Sequence, residues 1–111
     1  MFQRHASRAI SYSRGEDSAT LQATVGRTVF QIADQFSSAI LSVESRDYLV
    51  PTADMAATGL GLPQAGDQIH EVQGGKEYVY EVMAPGQEPC WRWADAYRLQ
   101  LRIHTKLVEE R

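Results

Sequence analysis

Histidine, cysteine and paired carboxylates are the side chains through which a small protein most readily does chemistry, and this chain has few of them at useful spacings. Its histidines are His5, His70 and His104, and its single cysteine is Cys90. A metal needs several such ligands at short intervals, and the chain contains neither a CxxC nor an HExxH motif. A nucleophilic cysteine needs a base beside it. Cys90 lies between Pro89 and Trp91, where a free thiol behaves as a small apolar residue of the core. Glu81 and Glu88 would be the pair for acid–base work, but strand and turn carboxylates are as a rule solvated. Gly59-Leu60-Gly61-Leu62-Pro63 is glycine-rich, yet lacks the GxGxxG pattern and the lysine-serine ending of a phosphate loop. The residue types predict no catalytic residue, no metal site and no cofactor.

Two further groups point to binding rather than catalysis. Trp91 and Trp93, flanked by Arg92 and Arg98, have the composition of a platform for single-stranded nucleic acid. A formal net charge of −3 counts against that use; the competing reading is a buried tryptophan face with ion-paired arginines. Arg98, Arg102 and Lys106 form a basic row with His104 between them. Either this row is a solvated exterior, with His104 a solvated member of it, or it meets an acidic partner and steers assembly.

These residues need a scaffold, and the scaffold reads as β. From Tyr97 to Leu107 the chain alternates: Leu99, Leu101, Ile103 and Leu107 on one side, Arg98, Gln100, Arg102, His104 and Lys106 on the other. That period of two excludes an amphipathic helix. Lys76–Met83 alternates likewise, and Gly74-Gly75 before it is a hairpin turn joining it to a strand at Asp67–Val72. Pro85-Gly86-Gln87-Glu88-Pro89 is a turn leading to a short tryptophan strand. Leu21, Ala23 and Val25 alternate, Gly26 marks a turn or bulge, and Thr28, Phe30 and Ile32 resume the pattern. Residues 39–50, with Glu44-Ser45-Arg46-Asp47 in their middle, read as a strand, a kink and a second strand. Residues 51–59 are the helix candidate, with Thr52 as cap and Gly59 at its C-terminal end, followed by a loop to Gly66. The expected fold is all-β: a small antiparallel β-barrel or sandwich of six or seven strands with one short helix. Residues 1–18 read as a mobile N-terminal arm containing a short strand at 9–13, and 19–111 as the β-barrel domain.

With 111 residues, 43% of them hydrophobic, the chain suits one domain that buries roughly two-thirds of its unfolded surface. No apolar run approaches the roughly 20 residues of a membrane-spanning helix, so no membrane partner is expected. The opening MFQRHASRAISYSRG has no apolar stretch of a secretory signal. A lone cysteine cannot form an internal disulfide, which fits a reducing compartment at the place of synthesis.

The stretches ESRDYLVPTADM, PQAGDQIHEV and YVYEVMAPGQEPCWRWADAYRLQLRIHTK resemble small proteins of tailed-phage and prophage morphogenesis clusters. The group is that of the head-to-tail joining, head-closure or stopper-like proteins, and the resemblance runs from about Ala19 to Lys106. It includes a Gly-Asp before a strand, at Gly66-Asp67-Gln68-Ile69, and a Tyr-Val strand after a glycine turn, at Gly75 and Tyr78-Val79. The resemblance implies a structural protein of the virion neck, made in the host bacterial cytoplasm. It implies a homo-oligomeric ring between the portal or an adaptor and the tail or its terminator, with packaged DNA in the channel. It implies no enzyme activity. The alternatives are a tail-completion or minor tail protein, or a small β-barrel that binds nucleic acid. The residues expected at a partner interface are Arg98, Arg102, His104, Lys106, Leu60 and Leu62, with residues 1–18 and 51–66 ordering on assembly.

Overall fold

Apolar side chains at every second position can all be buried together only if the chain is extended and one side of it is covered. The computed structural model describes residues 7–33, 36 and 39–111 and has that form throughout. Strand β1 (Ser7–Arg14) turns into β2 (Asp17–Ala33), which returns as β3 (Ile40–Pro51). The one helix of the described residues, α1 (Thr52–Ala57), follows, and then β4 (Gln68–Gln73), β5 (Lys76–Val82), β6 (Trp91–Trp93) and β7 (Gln100–Glu110). All pairings are antiparallel and lie in one sheet of order β3-β2-β1-β4-β5-β7-β6, with β3 pairing also to β7. The sheet therefore curls round one core.

That core takes the inward residues of each strand: Ile10 and Tyr12 from β1, Leu21 and Ala23 from β2, Tyr48 and Val50 from β3, Ile69 from β4. Tyr80 and Val82 of β5, Leu101 and Ile103 of β7 and Met55 of α1 complete it. Trp91 and Trp93 lie half-buried against it, edge to face with ring centroids 4.9 Å apart. One side of β5 and of the middle of β7 thus faces this core, while Val79 and His104 on their other side are buried as well. With seven strands and one helix among the described residues, the fold is all-β as expected.

Several local expectations need correction. Residues 7–18 of the expected arm form the β1–β2 hairpin of the sheet, because Ile10 and Tyr12 are core residues and eight residue pairs join the strands. Residues 1–6 of that arm lie outside the described residues. β2 runs straight through Gly26, which is neither a turn nor a bulge; a Cβ there would stand in ordinary contact, 3.4 Å, with the Arg102 guanidinium. β3 is one strand without a kink, since its polar middle is buried and paired rather than solvated. Thr52 does not cap α1; its hydroxyl donates to the Arg98 carbonyl at 2.8 Å, and Pro51 holds the N-cap position. β7 begins at Gln100, because the Asp95 carboxylate accepts the Leu99 and Gln100 amides and folds the preceding residues into a turn. Leu99 is consequently 65% exposed rather than in the core, and Leu107, beyond the core, is half exposed.

Candidate assembly surface

Three buried carboxylates organise the polar side chains. The first, Asp47 of β3, lies on the outer side of the sheet, where the β2–β3 ribbon crosses β7. Its carboxylate accepts hydrogen bonds from Ser45 Oγ (2.5 Å), Arg102 Nη1 (2.5 Å), His104 Nδ1 (2.9 Å) and the Thr28 hydroxyl. The Phe30 ring meets His104 edge-on at 5.0 Å and closes the cluster from solvent. Burial pushes the Asp47 carboxyl up, but the bonds from His104, Ser45, Thr28 and Arg102 outweigh it and hold the group well below the usual carboxylate range.

Serine, histidine and aspartate together raise the question of a hydrolytic triad. In such a triad the aspartate holds one ring nitrogen and the serine the other. Here Ser45 and Asp47 both lie at Nδ1, the serine 3.4 Å away, and Ser45 Oγ donates to Asp47 instead of being activated. All three residues are buried, His104 at 2% exposure. The arrangement is a clamp between strands, not a nucleophile presented to a substrate.

The other two carboxylates lie on the inner side of β4. Glu71 accepts from Tyr48 Oη (2.5 Å), Arg8 Nη1 (2.6 Å) and Arg46 Nη2 (2.9 Å). Asp67, just before β4, accepts from the Tyr12 hydroxyl, from Arg14 Nε and Nη2 at 2.8 Å each, and from the Gln64 amide at 2.9 Å. Burial raises both carboxyls, and the arginine and tyrosine bonds bring them below their ordinary values. Tyr12 and Tyr48 are pushed far up, first by burial and then by their bonds to Asp67 and Glu71. Arg14 reaches further, donating to the carbonyls of Leu60 (2.5 Å) and Leu62 (2.9 Å). The loop after α1 is thereby tied to β1, and the Cys90 thiol adds a weak contact to the Pro63 carbonyl at 3.7 Å. Burial pushes that thiol up, away from the thiolate a nucleophile needs.

Apart from Val72, Leu107 and Val108, the exposed large apolar side chains of the described residues gather at two poles. At one pole lie α1, the loop it leads into and the turn before β7. Thr52 binds the Leu99 carbonyl through its amide (2.9 Å), and Tyr97, Leu99 and Leu62 are 84%, 65% and 50% exposed. A small apolar hollow of about 180 Å³ opens there among Thr52, Met55, Ala56, Gly61, Leu62 and Leu101. At the other pole the β2–β3 ribbon carries exposed Val29, Phe36, Ile40 and Leu41.

The six residues expected at an interface are distributed unevenly over this surface. Leu62 rims the hollow, and Leu60 is half-buried against the core. Arg98 has a positive φ of 60° and lies 5.4 Å over the Trp93 ring. Lys106 is exposed near Glu81, at 3.8 Å. Arg102 and His104 belong to the Asp47 cluster, so the reading of His104 as a solvated member of a cationic row is corrected. The ribbon covers the outer side of β7 at that point, and alternation alone cannot reveal such a second layer. The buried carboxylates were not singled out from sequence; the available signal was a charged residue inside each strand pattern, Asp47 in β3 and Glu71 in β4.

Among the described residues no group of histidine, cysteine, aspartate or glutamate side chains could hold a metal ion, and no helix is long and apolar enough to cross a membrane. No curated protein and no solved structure matches the chain. The family of phage head-tail joining proteins does match, over residues 1–111, and the chain belongs to that family.

Proposed function

We propose that this protein is a structural component of the virion neck, present as a ring of identical copies between the portal or an adaptor and the tail, with packaged DNA passing through the channel. The observation that carries the reading is the family match over the whole chain, a family of structural virion proteins that join head to tail. Its geometry supports the reading in one respect. A subunit that joins two different neighbours, or closes a ring head to tail, needs two dissimilar surfaces. The α1 pole, with Leu62, Tyr97 and Leu99, and the ribbon pole, with Val29, Ile40 and Leu41, are two such surfaces. Arg98 and Lys106 supply charge at the exterior, Leu60 packs the loop that carries Leu62 against the core, and Arg102 and His104 act indirectly by fixing the ribbon. Assembly draws on protein made in the host cytoplasm.

Deleting the gene from the phage tests the proposal. Filled heads and separate, complete tails are expected by electron microscopy, and expression in trans is expected to restore joined particles. Infectious tailed particles formed without the protein would overturn the neck reading. A density map of the neck lacking a ring of this subunit would overturn its placement.

A further inference from the structure

We propose that the free protein pairs with a second copy of itself through the outer edge of β2, residues 25–33, with antiparallel strands meeting about a two-fold axis at Val29. The pairing itself is read from β2 alone; only its place before assembly rests on the neck reading. It follows from where the backbone donors and acceptors of β2 point. The Thr52 amide binds the Leu99 carbonyl, one step beyond the β3–β7 pair Pro51↔Gln100. In an antiparallel ladder every second residue bonds to a given neighbour. Even-numbered residues of β3 therefore turn their N–H and C=O groups to β7 and odd-numbered ones to β2. The β2–β3 register sets Leu49 opposite Thr24 and Leu41 opposite Ile32, so the even-numbered residues of β2 bond to β3. Val25, Arg27, Val29, Gln31 and Ala33 point the other way. Up to Thr24 that edge is bonded to β1; beyond it, no strand among the described residues pairs with it.

Among the described residues nothing occupies the place of a strand beside this edge. Thr28 to Ala33, six consecutive residues, line one wall of a cleft of about 640 Å³ whose other wall is Pro85, Gln87, Glu88 and Arg92. One side of a strand would present alternate residues, so an unbroken run is consistent with exposed backbone. Proteins protect such edges with bulges, prolines or charges. β7 follows that rule past Thr105: its register with β5 shifts by a bulge, and Lys106, Glu109 and Glu110 surround it. The β2 edge has one charge and no other such device. Its ten pairs with β3 are regular, it contains no proline, and Arg27 is its only charge. The ribbon here is also only two strands wide, a marginal structure that gains from further strands.

The sequence of this edge is complementary to itself. With Val29 on the axis, Val25 of one copy faces Ala33 of the other, Arg27 faces Gln31, and Thr28 stands beside Phe30. Apolar meets apolar and no like charges oppose, the condition for favourable cross-strand pairs. Such an isologous contact cannot be repeated within a cyclic ring, whose contacts are heterologous. It is therefore the form of the unassembled protein, and it hides the edge until neck partners displace it.

Sedimentation of the full chain at high concentration is expected to show a dimer. Across a hydrogen-bonded antiparallel pair the Cα atoms are about 5.5 Å apart, within the range a disulfide spans. In a Cys90→Ala background, Val29→Cys is expected to cross-link nearly completely under mild oxidation, whereas Val25→Cys, about 27 Å from its counterpart along the strand, does not. Val29→Pro removes only an edge N–H and is expected to give a monomer with unchanged circular dichroism. A monomeric wild type overturns the proposal, and so does a dimer in which Val29→Cys fails to cross-link. Slow amide exchange at Val29 and Gln31 in a monomer would mean that the chain covers its own edge, and would overturn it equally.

Discussion

Asp47 has four hydrogen-bond donors around it and no exposure, so removing it strands Arg102 and His104 among unpaired groups. Breaking a buried ion pair from one side costs about 3–5 kcal/mol, and Asp47→Ala is expected to lower stability by that order in urea unfolding. A loss below about 1 kcal/mol would mean the cluster is solvated. Asp47, Asp67 and Glu71 all ionise below their ordinary values in the folded chain. As the pH falls through about 4, the unfolded chain binds protons that the folded one does not. The stability these groups contribute is complete above that point and drains away as the pH drops toward the folded values. Tyr12 and Tyr48 act at the other end. Raised in the fold, they contribute stability that is complete below about pH 10 and is lost as the pH climbs further, because only the unfolded tyrosines ionise there. Urea midpoints measured against pH should show a plateau with a fall on each side, and Asp47→Asn should flatten the acid side.

At the scale of elements, the loop after α1 depends on one side chain of β1. Arg14 holds the carbonyls of Leu60 and Leu62 while paired to Asp67. Arg14→Ala is expected to cost on the order of 2 kcal/mol and to speed proteolytic cleavage between Gly59 and Gly66 before the sheet opens. Unchanged cleavage there would show that Pro63 and the Cys90 contact suffice. β5 and the centre of β7 were legible in the sequence because their alternation is apolar against polar and their apolar side is core. β1 was only half legible. Ile10 and Tyr12 signalled a strand, but the serines and arginines between them read as an arm, since nothing local shows that Arg8 and Arg14 find buried acids in β4 and just before it. For the same reason β3 looked broken at Glu44–Asp47. Periodicity counts polar residues as solvated, and Ser45, Asp47 and His104 are buried by a ribbon whose path is set by pairings distant in sequence.

For the whole molecule, the candidate surface was the least legible part. Leu62 was identified from its glycine-rich surroundings, but Tyr97 and Leu99 join the same pole only because β7 starts late. Leu62→Glu changes an exposed residue and is expected to alter stability by no more than about 0.5 kcal/mol. It should nevertheless abolish head–tail joining when supplied in trans to a deletion phage. A normal titre would remove the α1 pole from the joining contacts. Gly86 meets the ribbon: its φ of 56° favours glycine, and a Cβ there would stand 3.1 Å from the Ile32 side chain, which would have to shift.

β7 bonds to β3, β5 and β6, more neighbours than any other strand has. It is also the last of the seven to leave the ribosome. Until it emerges, Tyr48, Val50 and Val82 have no lid, and the nascent chain carries its sticky interior uncovered. Premature termination anywhere before residue 100 thus leaves the core open and yields a product for proteases rather than a smaller version of the domain.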